Sequence, residues 1–321
     1  MLQQTQVATV RSYFERFLAA FPTVEALAAA DEQAVLRLWE GLGYYRRAKQ
    51  LRRAAQVLVA EHGGQFPRDA AALRRLPGIG RYTAGAILSI AFDLPEPILE
   101  ANTVRVWSRL LGYRGDPTPA AGQRLLWDAA AAVLPRRGAG RLNQALMELG
   151  SQICLARGPR CDECPAATLC RANQEGTQAE IPRAKQKTHY TELHHATAII
   201  RRKGRVLLVQ CPDDGQWAGL WDFPRFRVFA EAESQQRREL IDNLRRLTGV
   251  VVRLGEPLRT IRHSVTRYRI TLDCYAAEFV SSDGRAPQGI KIRWLSPAEL
   301  AHLPLTSSGR RLAVLAEYEK G

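Results

Sequence analysis

The chain has 321 residues, 46% of them apolar, which is enough for two domains with proper cores. No run of about 18 apolar residues occurs, which excludes a hydrophobic helical membrane span. No signal-peptide pattern opens the chain, so the expected location is the cytoplasm, at the nucleoid. The formal net charge is +14, from 46 Lys and Arg against 32 Asp and Glu. With that many acidic residues present, the excess marks a biased folded surface rather than a disordered basic tail. A polyanion is the expected partner, nucleic acid ahead of a membrane.

Read in order, residues 1–170 predict an all-α domain with short connections. Val7, Val10, Phe14, Phe17 and Leu18 stand at helical spacing over 5–21, and Pro22 closes that helix. A second helix is expected over 24–30. A third starts at Asp31, a good N-cap, and carries Val35, Leu38 and Trp39. Gly41-Leu42-Gly43-Tyr44-Tyr45 reads as a corner, followed by a helix over 46–62 that Gly63-Gly64 ends. A fifth helix covers 69–75. Leu76-Pro77-Gly78-Ile79-Gly80 is then a Gly-rich turn opening a helix over 81–92, with Ala84, Ile87, Leu88 and Ala91 on one face. Pro95 and Pro97 forbid its continuation, and Glu100 stands just past the break. Further helices are expected over 101–111, 120–134 and 141–153.

Residues 171–190 are polar, rich in Lys and Gln, and read as an exposed linker. From 191 to 321 the pattern is α+β. Strands are expected over 196–201 and 206–210, joined at Lys203-Gly204, and over 220–229 and 270–279. Helices are expected over 235–248 and 313–319. The fold class is therefore multidomain: all-α at 1–170, then α+β at 191–321.

Two local patterns carry chemistry. A glycine turn that opens a helix aims free N–H groups outward, and a phosphate is their natural ligand. The Glu100 carboxylate beyond it is available for chemistry. Four of the six cysteines, Cys154, Cys161, Cys164 and Cys170, form C-x6-C-x2-C-x5-C. With no secretion signal, a metal site is expected ahead of disulfides. Four thiolates on a short loop suit a [4Fe–4S] cluster or a tetrahedral zinc, and only Cys161 and Cys164 have the pair spacing typical of zinc. Cys211 and Cys274 read as thiols without function.

Residues 76–100 resemble the helix–hairpin–helix element of the DNA glycosylases related to endonuclease III, and the cysteine spacing resembles their cluster loop. Met1-Leu2-Gln3-Gln4-Thr5-Gln6-Val7 and Trp39-Glu40-Gly41-Leu42-Gly43-Tyr44-Tyr45 resemble segments of the adenine DNA glycosylases within that superfamily. The resemblance implies that Gly78, Gly80 and Arg81 grip a DNA phosphate and that the cysteines hold a structural [4Fe–4S] cluster, with Arg157, Arg160 and Arg171 facing DNA beside it. It implies that Gln4 wedges into the duplex with Gln3 and Thr5 as helpers. It puts Glu100 in the position of the carboxylate facing the target sugar, where the family has Asp in a D-G-N setting and this chain has Glu100-Ala101-Asn102. Asn102 would orient the carboxylate or a water. Tyr82 stands where the lyases carry a Lys nucleophile, which points to a monofunctional enzyme. Arg105 and Arg109 are expected to hold phosphate or pair with acids.

The second domain resembles a Nudix-type fold of the adenine glycosylases. Its Arg238-Glu239-Leu240 is followed by Ile241, Asp242, Asn243 and Leu244 rather than by the carboxylates of a pyrophosphatase box. Arg262 to Tyr268 aligns with the loop that inspects 8-oxoguanine, with Thr266 and Arg267 as the reading residues. The implied substrate is double-stranded DNA with adenine opposite 8-oxoguanine or guanine, the implied enzyme a monomer that leaves an abasic site. The family's general-acid Glu lies just before the Met-Leu-Gln-Gln segment. No residue of this chain takes that role, and a start codon placed too late is the expected reason. The alternatives are a lesion-binding paralogue that does not cut and an endonuclease III-like glycosylase/lyase.

Overall fold

The computed structural model describes residues 1–3, 5, 7–183, 189–215, 217–230, 232–282, 284 and 286–317. They form two compact units, one of residues 1–56 with 188–321, the other of residues 57–187.

The first unit opens with α1 (Val7–Ala20), α2 (Val24–Ala29), α3 (Glu32–Trp39) and the start of α4 (Arg46–His62). Thr23 caps α2, and Asp31 caps α3 by accepting from the amides of Gln33 and Ala34. Val10, Phe17, Val35, Leu36, Trp39 and Leu42 form the helical core, with Phe17 edge-on to Trp39 at 6.0 Å.

The second unit contains α5 (Ala70–Arg75), α6 (Arg81–Ala86), α7 (Ala101–Leu110), α8 (Ala120–Ala132), α9 (Ala139–Glu148) and α10 (Arg171–Gln174). Two predicted helices change pitch. Ile87–Ala91 continues α6, and Leu149–Ile153 continues α9, as π-helix. The apolar spacing continues through both, so the pattern alone reads as one α-helix. Here Asn143 on α9 donates to Ser89 Oγ at 2.8 Å and to the Glu96 carbonyl at 3.0 Å, a buried tie of the kind that accompanies such widened turns. Leu99, Trp107, Leu126, Trp127 and Ala130 form a core between α7 and α8. The expected exposed linker over 171–190 begins instead as folded chain. α10 buries Ala172, and Thr177 and Ile181 are buried after it. Small polar composition concealed these anchors.

The rest of the first unit is a mixed sheet with helices on both faces. Its strands are β1 (Thr191–Arg202), β2 (Arg205–Gln210), β3 (Trp221–Asp222), β4 (Arg225–Arg227), β5 (Val250–Val265), β6 (Tyr268–Ser282) and β7 (Ile292–Leu295). The order is β3-β2-β1-β6-β5, with β4 on β1 and β7 on β2; β1 and β6 run parallel. Lys203 (φ 48°) and Gly204 (φ 72°) make the two-residue turn between β1 and β2, as the sequence predicts. β5 and β7 carry no clear strand signal. β5 is interrupted by Gly255, Glu256 and Pro257, and its ladder with β6 shifts register there. α11 (Glu233–Thr248) covers one face, its Leu240 and Leu244 in one core with Ile200 and Leu207 of the sheet. α12 (Pro297–Leu300) and α13 (Ser307–Glu317) cover the other, over Ile199, Leu208, Leu272 and Leu312. Among the described residues no helix is long and apolar enough to cross a membrane.

Candidate active site

The second unit gathers Gly78, Gly80, Arg81, Tyr82, Glu100, Asn102 and the four cysteines. Gly78 sits at φ 79°, a left-handed conformation that suits glycine, and lets the chain turn sharply between α5 and α6. Gly80 caps α6 without a side-chain acceptor and is exposed. Arg81 is exposed too, but its guanidinium lies 3.9 Å over the Trp127 ring.

Glu100 reaches its place by close packing. A Cβ on Gly85 would run into the Pro97 carbonyl, so only glycine lets the 94–99 segment cross α6 there. Glu100 then caps α7. One carboxylate oxygen accepts from the Asn102 amide and the other from the Thr103 amide, each at 2.9 Å, and the Thr103 hydroxyl accepts from the Glu100 amide at 2.8 Å. This capping box fixes the carboxylate on backbone donors. A carboxylate offers about four lone-pair directions, so acceptor capacity remains. Tyr82 lies near enough to feel it. Burial pushes the phenol's pKa up, and the Glu100 charge adds to that.

Asn102 accepts from Arg105 Nη2 at 3.0 Å, and Arg105 also donates to the carbonyls of Gly150 at 2.6 Å and Cys154 at 2.7 Å. Arg109 is 3% exposed. It donates to the carbonyls of Ile181 at 2.8 Å and Leu155 at 2.7 Å and to Cys154 Sγ at 3.2 Å. The hydrogen bonds of both arginines go to carbonyls, to Asn102 and to the Cys154 sulfur. Both knit α7 to the cysteine loop, which spacing on a helix cannot reveal. Arg160 pairs with Glu163 at 3.1 Å and Arg171 with Glu175 at 2.7 Å, so these two flanking charges have local partners.

The four cysteines carry no disulfide, and all four line one cavity of about 20 Å³ with Arg109, Arg160 and Asn173. Among the described residues no group of three or more His, Cys, Asp or Glu is gathered for a single metal ion. Four soft donors round a shared cavity, beside a buried guanidinium with no carboxylate partner among the described residues, suit a thiolate-held iron–sulfur group.

The first unit holds the remaining candidates. Gln4 lies outside the described residues. Gln3 is exposed, and its carbonyl, with those of Met1, Leu42 and Gly43, accepts from Arg47. Arg47 also donates to Thr5 Oγ1 at 3.3 Å and lies over the rings of Trp39 and Tyr44. The sequence reading missed Arg47, which joins the two N-terminal motifs; its position just after the corner is the only signal. Arg262 to Val265 and Tyr268 belong to strands β5 and β6 rather than to a loop. Only Thr266 (φ 52°) and Arg267 form the turn, both exposed. The long antiparallel ladder leaves no more than two residues at the tip. Arg267 lies over the Tyr268 ring at 5.2 Å and donates to its hydroxyl at 3.1 Å. Glu239 on α11 accepts from the amides of Phe229 at 3.1 Å and Ala230 at 3.4 Å.

These parts define a helix–hairpin–helix DNA glycosylase with an appended Nudix-type fold. Residues 1–131 match the HhH-GPD superfamily of base excision DNA repair proteins, and residues 195–313 match the NUDIX domain. The adenine DNA glycosylase of Rattus norvegicus is 32% identical, over 100% of this chain and 71% of its own. That of Mus musculus is 33% identical, over 97% and 69%. A solved thermostable thymine-DNA glycosylase superposes with a TM-score of 0.50 at 28% identity, over 54% of this chain and 80% of its own. The chain belongs to the adenine DNA glycosylase family, and so to the hydrolases that act as DNA N-glycosylases.

Proposed function

We infer that the chain removes adenine from duplex DNA in base-excision repair, by hydrolysing the N-glycosidic bond of adenine opposite 8-oxoguanine or guanine. The observation that carries the reading is the Glu100 carboxylate, held by two backbone amides next to the Tyr82 phenol, beyond the helix that the Gly78–Gly80 turn opens. Cleavage of this bond builds positive charge on the sugar, and a fixed carboxylate stabilises that charge without having to reorganise. Asn102, braced by Arg105, supports the carboxylate from the first turn of α7. Tyr82 cannot form an imine, so no Schiff base holds the sugar and the product is an intact abasic site.

Gly78, Gly80 and Arg81 receive the DNA phosphate, and the extruded adenine leaves a gap that Gln4, with Gln3 and Thr5, fills. Thr266 and Arg267, exposed at the tip of the β5–β6 hairpin, read the base opposite. Cys154, Cys161, Cys164 and Cys170 hold a [4Fe–4S] cluster, which supplies structural fixation of the loop and takes no part in bond breaking. The layout is a glycosylase part at 1–170, a folded segment from 171 anchored by Ala172, Thr177 and Ile181, and a lesion-recognition part at 191–321, acting as a monomer.

The test is product analysis on an 8-oxoguanine:adenine duplex, with this chain and with one extended in frame upstream of Met1. Free adenine, an alkali-labile abasic site and no borohydride-trapped protein–DNA adduct are expected from the competent form. A trapped adduct would make the enzyme a lyase. Tight lesion binding without adenine release by either form would make it a recognition protein.

A further inference from the structure

Arg109 is a buried cation in an unusual setting. Arginine stays charged at all accessible pH values, and an unpaired buried charge costs several kcal/mol. Its acceptors are the carbonyls of Ile181, Leu155 and, at 3.5 Å, Ala156, together with Cys154 Sγ. Among the described residues no carboxylate pairs with it. The group beside it able to carry a compensating negative charge is the cysteine sulfur. Its own backbone carbonyl also lies 3.4 Å from Cys170 Sγ. One residue of α7 thus touches the first cysteine of the loop through its side chain and the last through its carbonyl. The same guanidinium grips Ile181, beyond the last cysteine.

We propose that Arg109 is the positioning residue of the metal loop: its guanidinium neutralises the Cys154 thiolate and ties the first ligand to the segment that follows the last, so that the four donors are held in place and the bound group is retained. This rests on the reading of the four cysteines as an iron–sulfur loop. A partner outside the ligand set typically changes metal affinity by about ten- to a hundredfold. An N–H donor and a positive charge at a thiolate also favour the reduced cluster, an effect that packing alone does not produce.

The experiment uses the full chain, with Arg109→Met (charge and donors lost), Arg109→Lys (charge kept, fork lost) and Arg253→Met as a control at an exposed guanidinium 76% accessible. Iron and acid-labile sulfide per chain, the rate of cluster loss in air and the reduction potential of the surviving cluster are read for each. The expected result is cluster loss faster by about ten- to a hundredfold in Arg109→Met, with a more negative potential. Arg109→Lys should keep a potential near the parent's and lose its cluster at an intermediate rate, and Arg253→Met should behave as the parent. If Arg109→Met does not fold, the Lys variant still decides: loss faster than the parent's at a parent-like potential supports the proposal, and a parent-like loss rate with the fork gone overturns it. Parent-like loss rate and potential in both Arg109 variants would overturn the proposal. A parent chain purified anaerobically without iron and sulfide would instead overturn the iron–sulfur reading beneath it.

Discussion

The corner that delivers Glu100 and the hairpin that ends at Thr266 both join two regular elements, and they are built in opposite ways. Around Glu100 several polar contacts tie the bend down. Two amides hold the carboxylate, Thr103 closes the capping box, Asn143 ties the Glu96 carbonyl, and Gly85 admits the crossing chain. At the hairpin two residues span the turn, the Thr266 backbone is left-handed, and both side chains face solvent. A group that stabilises developing charge must not move, whereas a group that reads a partner must be reachable. The first region is over-determined and the second is exposed.

The comparison can be broken first at Gly85. Gly85→Leu places a side chain against the Pro97 carbonyl and should displace the 94–100 segment. Overpacking of this kind costs about 1–3 kcal/mol, and misplacing the carboxylate should slow adenine release on the order of a hundredfold. Chemical denaturation together with single-turnover kinetics measures both. An unchanged rate in a destabilised protein would show that the corner does not position the chemistry.

The hairpin's own domain supplies the next test. His195 is pushed down to about 4 by burial and then by Arg225, His263 and Arg227, and His263 is also lowered, mainly by burial. Both depressed pKa values mean that the unfolded chain takes up protons before the folded one. Stability is full above the ordinary pKa of 6.5 and falls as the pH drops from 6.5 towards 4. His195 contributes part of this fall, reduced by solvent screening because the ring is only partly buried. Denaturation midpoints of the Nudix-type domain's transition at several pH values, in the parent and His195→Gln, should diverge above pH 4 and lose much of their slope in the variant. Equal slopes would contradict the assignment.

Smaller effects are expected at the tip. Arg267→Ala should weaken DNA binding modestly and lower the salt dependence by about one unit if the guanidinium meets phosphate, leaving the single-turnover rate at saturating enzyme unchanged. Thr266→Gly relieves a left-handed β-branched residue and should stabilise the hairpin by about 1 kcal/mol or less, again without changing that rate. A slowed chemical step in either variant would join the hairpin to catalysis and erase the contrast.

The same contrast governs what could be read from sequence. Asp31, the Gly-rich turn, the Lys203-Gly204 hairpin and the cysteine spacing are local rules, and each leaves its mark within a few residues. The capping box at Glu100 is also local, but Glu is not among the residue types favoured at an N-cap, so the position carries no cap signal. Arg47, Arg105 and Arg109 act on carbonyls 44 to 72 residues away or more locally on turns, and nothing in their spacing distinguishes them from surface arginines. β5 escapes because Gly255, Glu256 and Pro257 interrupt its alternation, and its pairing with β6 carries it through.

The most direct measurement is single-turnover adenine release from an 8-oxoguanine:adenine duplex by Glu100→Gln against the parent in its competent form, with duplex affinity measured in parallel. Glutamine removes the charge while keeping an oxygen that can cap α7. The rate should fall by about a hundredfold or more, with affinity nearly unchanged. A parent-like rate at parent-like affinity would mean that Glu100 only caps α7 and that the charge on the sugar is stabilised elsewhere.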